Sequence, residues 1–136
     1  MRIILDTNVV VSALIQKSYP FFIVDKLFSI RYVEVCISKP LFAEYLEVLN
    51  RDKFSRFIDF HIKAQVLLAE FERNATMYFP TKQLNILDDN ADNRLLELAE
   101  VSKADYLVTG NTNDFTMENY QKTKIISPKA FFEIII

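Results

Sequence analysis

Two short stretches of this 136-residue chain concentrate oxygen-bearing side chains: Asp6-Thr7-Asn8 near its start and Gly110-Asn111-Thr112-Asn113-Asp114 further on. Further carboxylates fall at Glu44 and Glu47, and at Asp88, Asp89 and Asp92. Hard oxygen donors without His or Cys suit Mg²⁺ or Mn²⁺ and disfavour zinc. Each acid also has a plain use on its own. Asp6 could cap a following helix, Asp92 could favour the dipole of its own first turn, and Glu44 could be a solvated helix position. Convergence would change that balance. Two carboxylates about 5 Å apart at an effective dielectric near 20 repel by roughly 3 kcal/mol. Three or four together need a cation or raised pKa values, and a fold that keeps such repulsion is more often using it than tolerating it.

Whether the acids converge depends on the elements that carry them. Ile3-Ile4-Leu5 reads as a buried strand ending at Asp6, and Val9, Val10, Ala13 and Leu14 follow at helical spacing up to a break at Ser18–Pro20. Phe22 to Phe28 reads as a second short helix and Val33–Ile37 as the next strand. Ser38 with Pro40 marks a helix entry, and Leu41, Tyr45, Val48 and Leu49 make one face of that helix. Phe54 to Phe71 is the longest helical pattern, with Phe57, Ile58, Ile62, Gln65, Val66 and Ala69 in line. Thr76–Phe79 reads as a short strand, and 81–90 as a polar loop. Leu95, Leu98, Ala99 and Ser102 mark another helix, Tyr106–Thr109 a strand and Lys124–Ile126 a last strand. Ser127-Pro128 is a cap and first-turn pair for a terminal helix.

Apolar strands alternating with helices imply a mainly parallel sheet covered on both faces. One domain, residues 1–136, with a three-layer α/β/α sandwich is expected. In such sheets ligands bind beyond the carboxyl ends of the strands, which is where Asp6 and the Gly110–Asp114 stretch would lie.

Composition removes several alternatives. Average usage of about 7% would give roughly nine or ten glycines, and the chain has one. That excludes a P-loop or a Gly-rich dinucleotide turn, so any phosphate must be held by metal and side chains. One Cys excludes a disulfide framework and a Cys-based zinc ribbon. With 51% hydrophobic residues, including 12 Phe and 6 Tyr, the chain is able to bury a real core. A net charge of −2 argues against nucleic-acid binding through bulk charge but leaves room for a local basic patch. No apolar run approaches the roughly 20 residues of a membrane span, and Asp6 interrupts the first run too early for a signal-peptide core. A soluble protein of the reducing cytoplasm is expected.

The ordered motifs resemble a known family. Met1-Arg2-Ile3-Ile4-Leu5-Asp6-Thr7-Asn8-Val9-Val10-Val11-Ser12-Ala13-Leu14 looks like the opening of a PIN domain. The likeness continues through Ser38-Lys39-Pro40-Leu41-Phe42-Ala43-Glu44-Tyr45, through Asp92-Asn93-Arg94-Leu95-Leu96-Glu97-Leu98-Ala99, and through Ala104-Asp105-Tyr106-Leu107-Val108-Thr109-Gly110. It closes at Ile126-Ser127-Pro128-Lys129-Ala130-Phe131 and so spans nearly the whole chain. The chain is most similar in this respect to PIN proteins described as the toxins of toxin–antitoxin pairs, the VapC-type toxins.

The resemblance implies a ribonuclease dependent on Mg²⁺ or Mn²⁺, with RNA as substrate, an antitoxin as protein partner and a homodimer as a further possibility. It implies catalytic roles for Asp6, Glu44 and Asp92, which match the first three acidic positions of the pattern. Many PIN domains carry an Asp directly after the Thr-Gly or Thr-Arg pair, and here Asn111 stands there. Asp114, three residues on, is the candidate replacement, since a Thr-x-Asn-x-x-Asp-Phe variant occurs in similar toxins. The metal-holding set implied is therefore Asp6, Asp92, Asn111 and Asp114. Glu44 would complete it or orient water, and Thr7, Asn8 and Thr109 would position the acids through hydrogen bonds.

Other residues carry weaker expectations. His61 reads as a surface residue and Cys36 as a small core residue. The Phe and Tyr residues fall mainly at core spacings, though Phe115 or Tyr120 could stack a base near the site. Arg51, Lys53, Arg56 and Lys63 could form a phosphate track, although Asp52 and Asp59 dilute the charge and favour a solvated face. Two rival functions stand beside the nuclease. One is a non-catalytic relative that keeps the fold and binds RNA or protein, a reading motivated by Asn111. The other, a phosphatase of the haloacid-dehalogenase type, needs an Asp two positions after the first, where this chain has Asn8.

Overall fold

Short apolar runs make short strands, and Ile3–Leu5, Leu107–Val108 and Ile125–Ile126 are buried within the sheet. The computed structural model describes residues 1–136, the whole chain. Its elements are β1 (Arg2–Leu5), α1 (Thr7–Ile15), α2 (Tyr19–Leu27), β2 (Glu34–Ile37), α3 (Lys39–Leu49), α4 (Phe60–Asn74), β3 (Thr76–Met77), α5 (Asn90–Ser102), β4 (Tyr106–Val108), β5 (Asn119–Tyr120), β6 (Thr123–Ile126) and α6 (Pro128–Ile135). Two 3-10 turns, Asp52–Arg56 and Thr112–Asp114, complete the chain.

The sheet order is β3-β2-β1-β4-β6-β5, parallel except for the β5–β6 pair. Strand β1 is central, with Ile3 opposite Val35 on one side and Tyr106 on the other. From β1 the chain builds outward to β2 and β3, then returns to lay β4 and β6 on the opposite flank. The carboxyl ends of β1 and β4 therefore bound the crevice where the strand order reverses, the place such sheets offer to ligands. The α/β/α layering matches the sequence expectation.

Ser38 and Ser127 cap their helices as their positions suggest. Ser38 Oγ accepts from the Leu41 N–H at 3.3 Å and Ser127 Oγ from the Ala130 N–H at 3.2 Å, each with a Pro in the first turn. Pro20 likewise lies in the first turn of α2, so the helix begins at Tyr19, earlier than the break expected at Ser18–Pro20 allowed. The antiparallel β5 was not expected; it is two residues long and carries no alternation to read.

The long helix expected over Phe54–Phe71 is two elements. Asp52–Arg56 form a 3-10 turn, Asp59 adopts a left-handed conformation (φ 55°), and α4 starts only at Phe60. The break resets the helical face. Phe60, Ala64, Leu67, Leu68 and Phe71 are buried, whereas Ile58, Ile62 and Val66 are 84%, 68% and 61% exposed. Both sets have helical spacing, and the core chose the set that contains Phe60 and Phe71. Phe54 anchors the preceding turn by stacking on Phe60, with ring centroids 4.6 Å apart and planes 20° apart. Outside the core, Ile58 just before α4 and Ile62 and Val66 on it are left facing outward.

Candidate active site

A cleft of about 400 Å³ opens at the crevice between β1 and β4. Asp6, Glu44, Asp92, Asn111 and Asp114 all line it, together with Thr7, Asn8 and Asp89. They arrive from separate elements: the end of β1, the middle of α3, the first turn of α5 and the 3-10 turn after β4. Of the acids weighed from the sequence, Glu47 does not join them. It faces outward and is gripped by Arg51 through two hydrogen bonds, 3.1 and 2.8 Å. Asp88 also stays outside the lining, and Asp89 is the cap of α5, its Oδ1 accepting from the Ala91 N–H at 2.8 Å.

Asp6 occupies the cap position of α1 yet makes no side-chain capping bond. Its backbone N–H instead extends the β1–β4 ladder by donating to the Val108 carbonyl at 2.9 Å. Its Oδ2 accepts from the Thr109 hydroxyl at 2.8 Å and the Asn8 amide at 3.1 Å. Asn8 Oδ1 in turn accepts from the Gly110 N–H at 3.0 Å. A Cβ on Gly110 would come within 3.3 Å of that same Asn8 oxygen, while the backbone there has no positive φ. The only glycine thus serves close approach and not an unusual turn.

Glu44 is held by the Thr7 hydroxyl, which donates to its Oε1. The next residue, Tyr45, is fully buried, and its hydroxyl donates to the Leu5 carbonyl, tying α3 to the end of β1. Burial pushes the Tyr45 hydroxyl well above its usual range, with the Asp6 and Glu44 charges adding, so it remains a neutral donor. On the other rim, Asn93 is fully buried in α5. Its Oδ1 accepts from the Ile86 and Leu87 N–H groups at 3.1 and 2.8 Å, and its Nδ2 donates to the Leu87 carbonyl at 2.8 Å. This pins the loop that leads into Asp89 and Asp92.

Charge and burial both disturb the acids. Desolvation raises the Asp6 carboxyl, the Thr109 hydrogen bond opposes it, and the charge of Glu44 raises it further. Burial also raises Asp92, followed by the charges of Asp89, Asp6, Asp114 and Glu44, and carries it to about 6. The repulsion anticipated for converging carboxylates is therefore present. The donor set, all oxygen with no His or Cys in the lining, fits a hard divalent cation. No three His, Cys, Asp or Glu side chains stand close enough to form a ready-made metal cage.

Several expectations change here. Phe115 is 6% exposed and belongs to the core, so it offers no face for a base. Tyr120 lies on β5 with its hydroxyl 3.4 Å from Glu100, outside the cleft. His61 rests against the Arg51 carbonyl at 3.0 Å, away from the acids. Cys36 is buried, its thiol pushed up to about 12 by burial, as a core residue should be. Tyr45 and Asn93 had no place in the expected site, whereas Lys53, one of the four residues of the possible phosphate track, lines the cleft. The first two had one readable signal, a polar group at a core-facing helix position.

Comparison with known proteins agrees with this architecture. Residues 2–113 match the PIN domain family. An uncharacterised protein of Methanocaldococcus jannaschii is 25% identical to the chain, over 98% of this chain and 90% of that one. Among solved structures, a chain of VapBC2 from Rickettsia felis, bound to a DNA fragment from the promoter, is similar with a TM-score of 0.61. It is 19% identical, and the match covers 93% of this chain and 98% of that one.

Proposed function

Because the chain belongs to the PIN domain family, we propose that it is an endoribonuclease dependent on Mg²⁺ or Mn²⁺ and the toxin of a toxin–antitoxin pair. The observation that carries this reading is the meeting of Asp6, Glu44, Asp92 and Asp114 in one cleft at the switch point of the sheet. Asp6, Asp92, Asn111 and Asp114 would hold the cation. When bound, it supplies positive charge to the phosphodiester in the transition state and lowers the pKa of water. Thr109 and Asn8 fix the Asp6 carboxylate, and Thr7 fixes Glu44, so that each acid meets the substrate in one orientation. Glu44 orients the attacking water.

The antitoxin draws support from two sides: the likeness to a chain of VapBC2, and the outward apolar stripe of Ile58, Ile62 and Val66. A second copy of the chain is the other occupant of that stripe. No helix is long and apolar enough to cross a membrane, which is compatible with action on RNA in the cytoplasm.

The test is cleavage of single-stranded RNA by the purified protein in Mn²⁺ or Mg²⁺. Asp6→Asn is expected to abolish cleavage and to raise the melting temperature of the metal-free protein by relieving repulsion. Equal activity in the variant would sink the assignment. A second reading, a PIN fold with weakened or lost catalysis, is favoured by one residue, Asn111. If it holds, the wild type neither binds the cation in calorimetry nor cleaves RNA, and Asn111→Asp restores both.

A further inference from the structure

Lys53 is the single cationic side chain lining the acidic cleft. Its three basic neighbours in sequence are placed differently. Arg51 is held by Glu47 through two hydrogen bonds, and the Arg56 guanidinium lies 4.8 Å from the Phe57 ring centroid. Lys63 is exposed on α4 and lines no part of the cleft. Lys53 forms no ion pair with any carboxylate within 4.0 Å, although the cleft is rich in them. Its ammonium stands 5.2 Å from the Phe54 ring centroid instead. Phe54 is buried and stacked on Phe60, so the position of Lys53 on the rim is set by a core anchor one residue away.

A cleft that collects carboxylates repels the polyanion it is meant to cut. An exposed cation on its rim, left without an ion pair by the protein, answers that problem at short range, where a net charge of −2 cannot. We propose that Lys53 is a substrate-binding residue that contacts a backbone phosphate of single-stranded RNA and guides the strand into the cleft. The proposal rests on the nuclease reading for its choice of ligand. It rejects the phosphate track as a four-residue feature and keeps one residue of it.

The measurement is binding of a fluorescein-labelled single-stranded RNA to the full chain in EDTA across a range of KCl concentrations, paired with KM and kcat in Mn²⁺. Lys53→Ala should weaken binding and raise KM about tenfold, with kcat changed far less. The slope of log K against log salt should fall by about 0.7, the loss of one phosphate contact on a single strand. Lys53→Arg should restore the slope, and Lys63→Ala should match the wild type. Wild-type affinity and slope in Lys53→Ala would overturn the proposal. So would an equal loss in Lys63→Ala, which would mean diffuse charge, or an unchanged RNA affinity with altered Mn²⁺ affinity, which would make Lys53 a counter-ion for the acids. Absence of any RNA binding overturns it too. A wild type that binds RNA with a Lys53-dependent slope but never cleaves overturns the nuclease reading and leaves this one standing.

Discussion

Burial and four surrounding carboxylates hold Asp92 near pH 6, above its ordinary 3.8, and Asp6 is displaced in the same direction. Between those two values the folded chain binds more protons at Asp92 than the unfolded chain, so this group lowers stability as pH rises. The metal-free protein should therefore melt at a higher temperature near pH 5 than near pH 7. Asp92→Asn should flatten that slope. Thermal unfolding in EDTA at the two pH values checks both; a slope left intact in the variant would remove Asp92 as its source. That Asp6, Glu44 and Asp92 share one cleft was legible in the sequence through their order along the chain, which resembles a PIN domain, and through the place of Asp6 at a strand end. Tyr45 was not, and Lys53 was legible only as one of four basic residues of a possible phosphate track. The role of Tyr45 depends on a carbonyl forty residues earlier, and the separation of Lys53 from Arg51, Arg56 and Lys63 on a chain break that no local propensity announced. Phe115 follows the core reading of the aromatic residues and not the alternative of base stacking, a choice that aromatic character alone does not make.

At the scale of elements, α4 carries two apolar stripes of equal periodicity, and hydropathy alone could not rank them. The left-handed Asp59 decided the matter by ending one element and starting another. Truncating each stripe separates the two. Phe71→Ala, on the buried side, should cost about 3–5 kcal/mol. Ile62→Ala, on the exposed side, should stay within about 0.5 kcal/mol, as exposed substitutions do. Urea unfolding of the isolated protein reads both, and a large loss at Ile62 would show that the stripe is covered even without a partner. Helix starts were easier to read, since Ser-x-Pro and Ser-Pro state their geometry within three residues, as at Ser38 and Ser127.

At the scale of the molecule, strand alternation with helices was enough to place β1 in a covered parallel sheet and the acids at its carboxyl end. Strand order was not readable, because nothing local tells β4 to return to the flank of β1. The consequence is that four elements share one cleft, and a cation bound there would hold them together. Mn²⁺ at a hundredfold excess over its dissociation constant should stabilise the whole fold by about 2.7 kcal/mol. Scanning calorimetry with and without Mn²⁺ tests this without RNA, and Asp6→Asn should lose most of the shift. An equal shift in the variant would place the cation elsewhere.

The two outermost strands, β3 and β5, are each only two residues long. A sheet that ends this abruptly on both flanks gives a neighbouring chain almost no ladder to extend. Copies of this protein crowded together are thus steered away from fibre-like growth by strand addition. The surface such copies would present to one another is mainly helical, and the outward side of α4 exposes Ile62 and Val66.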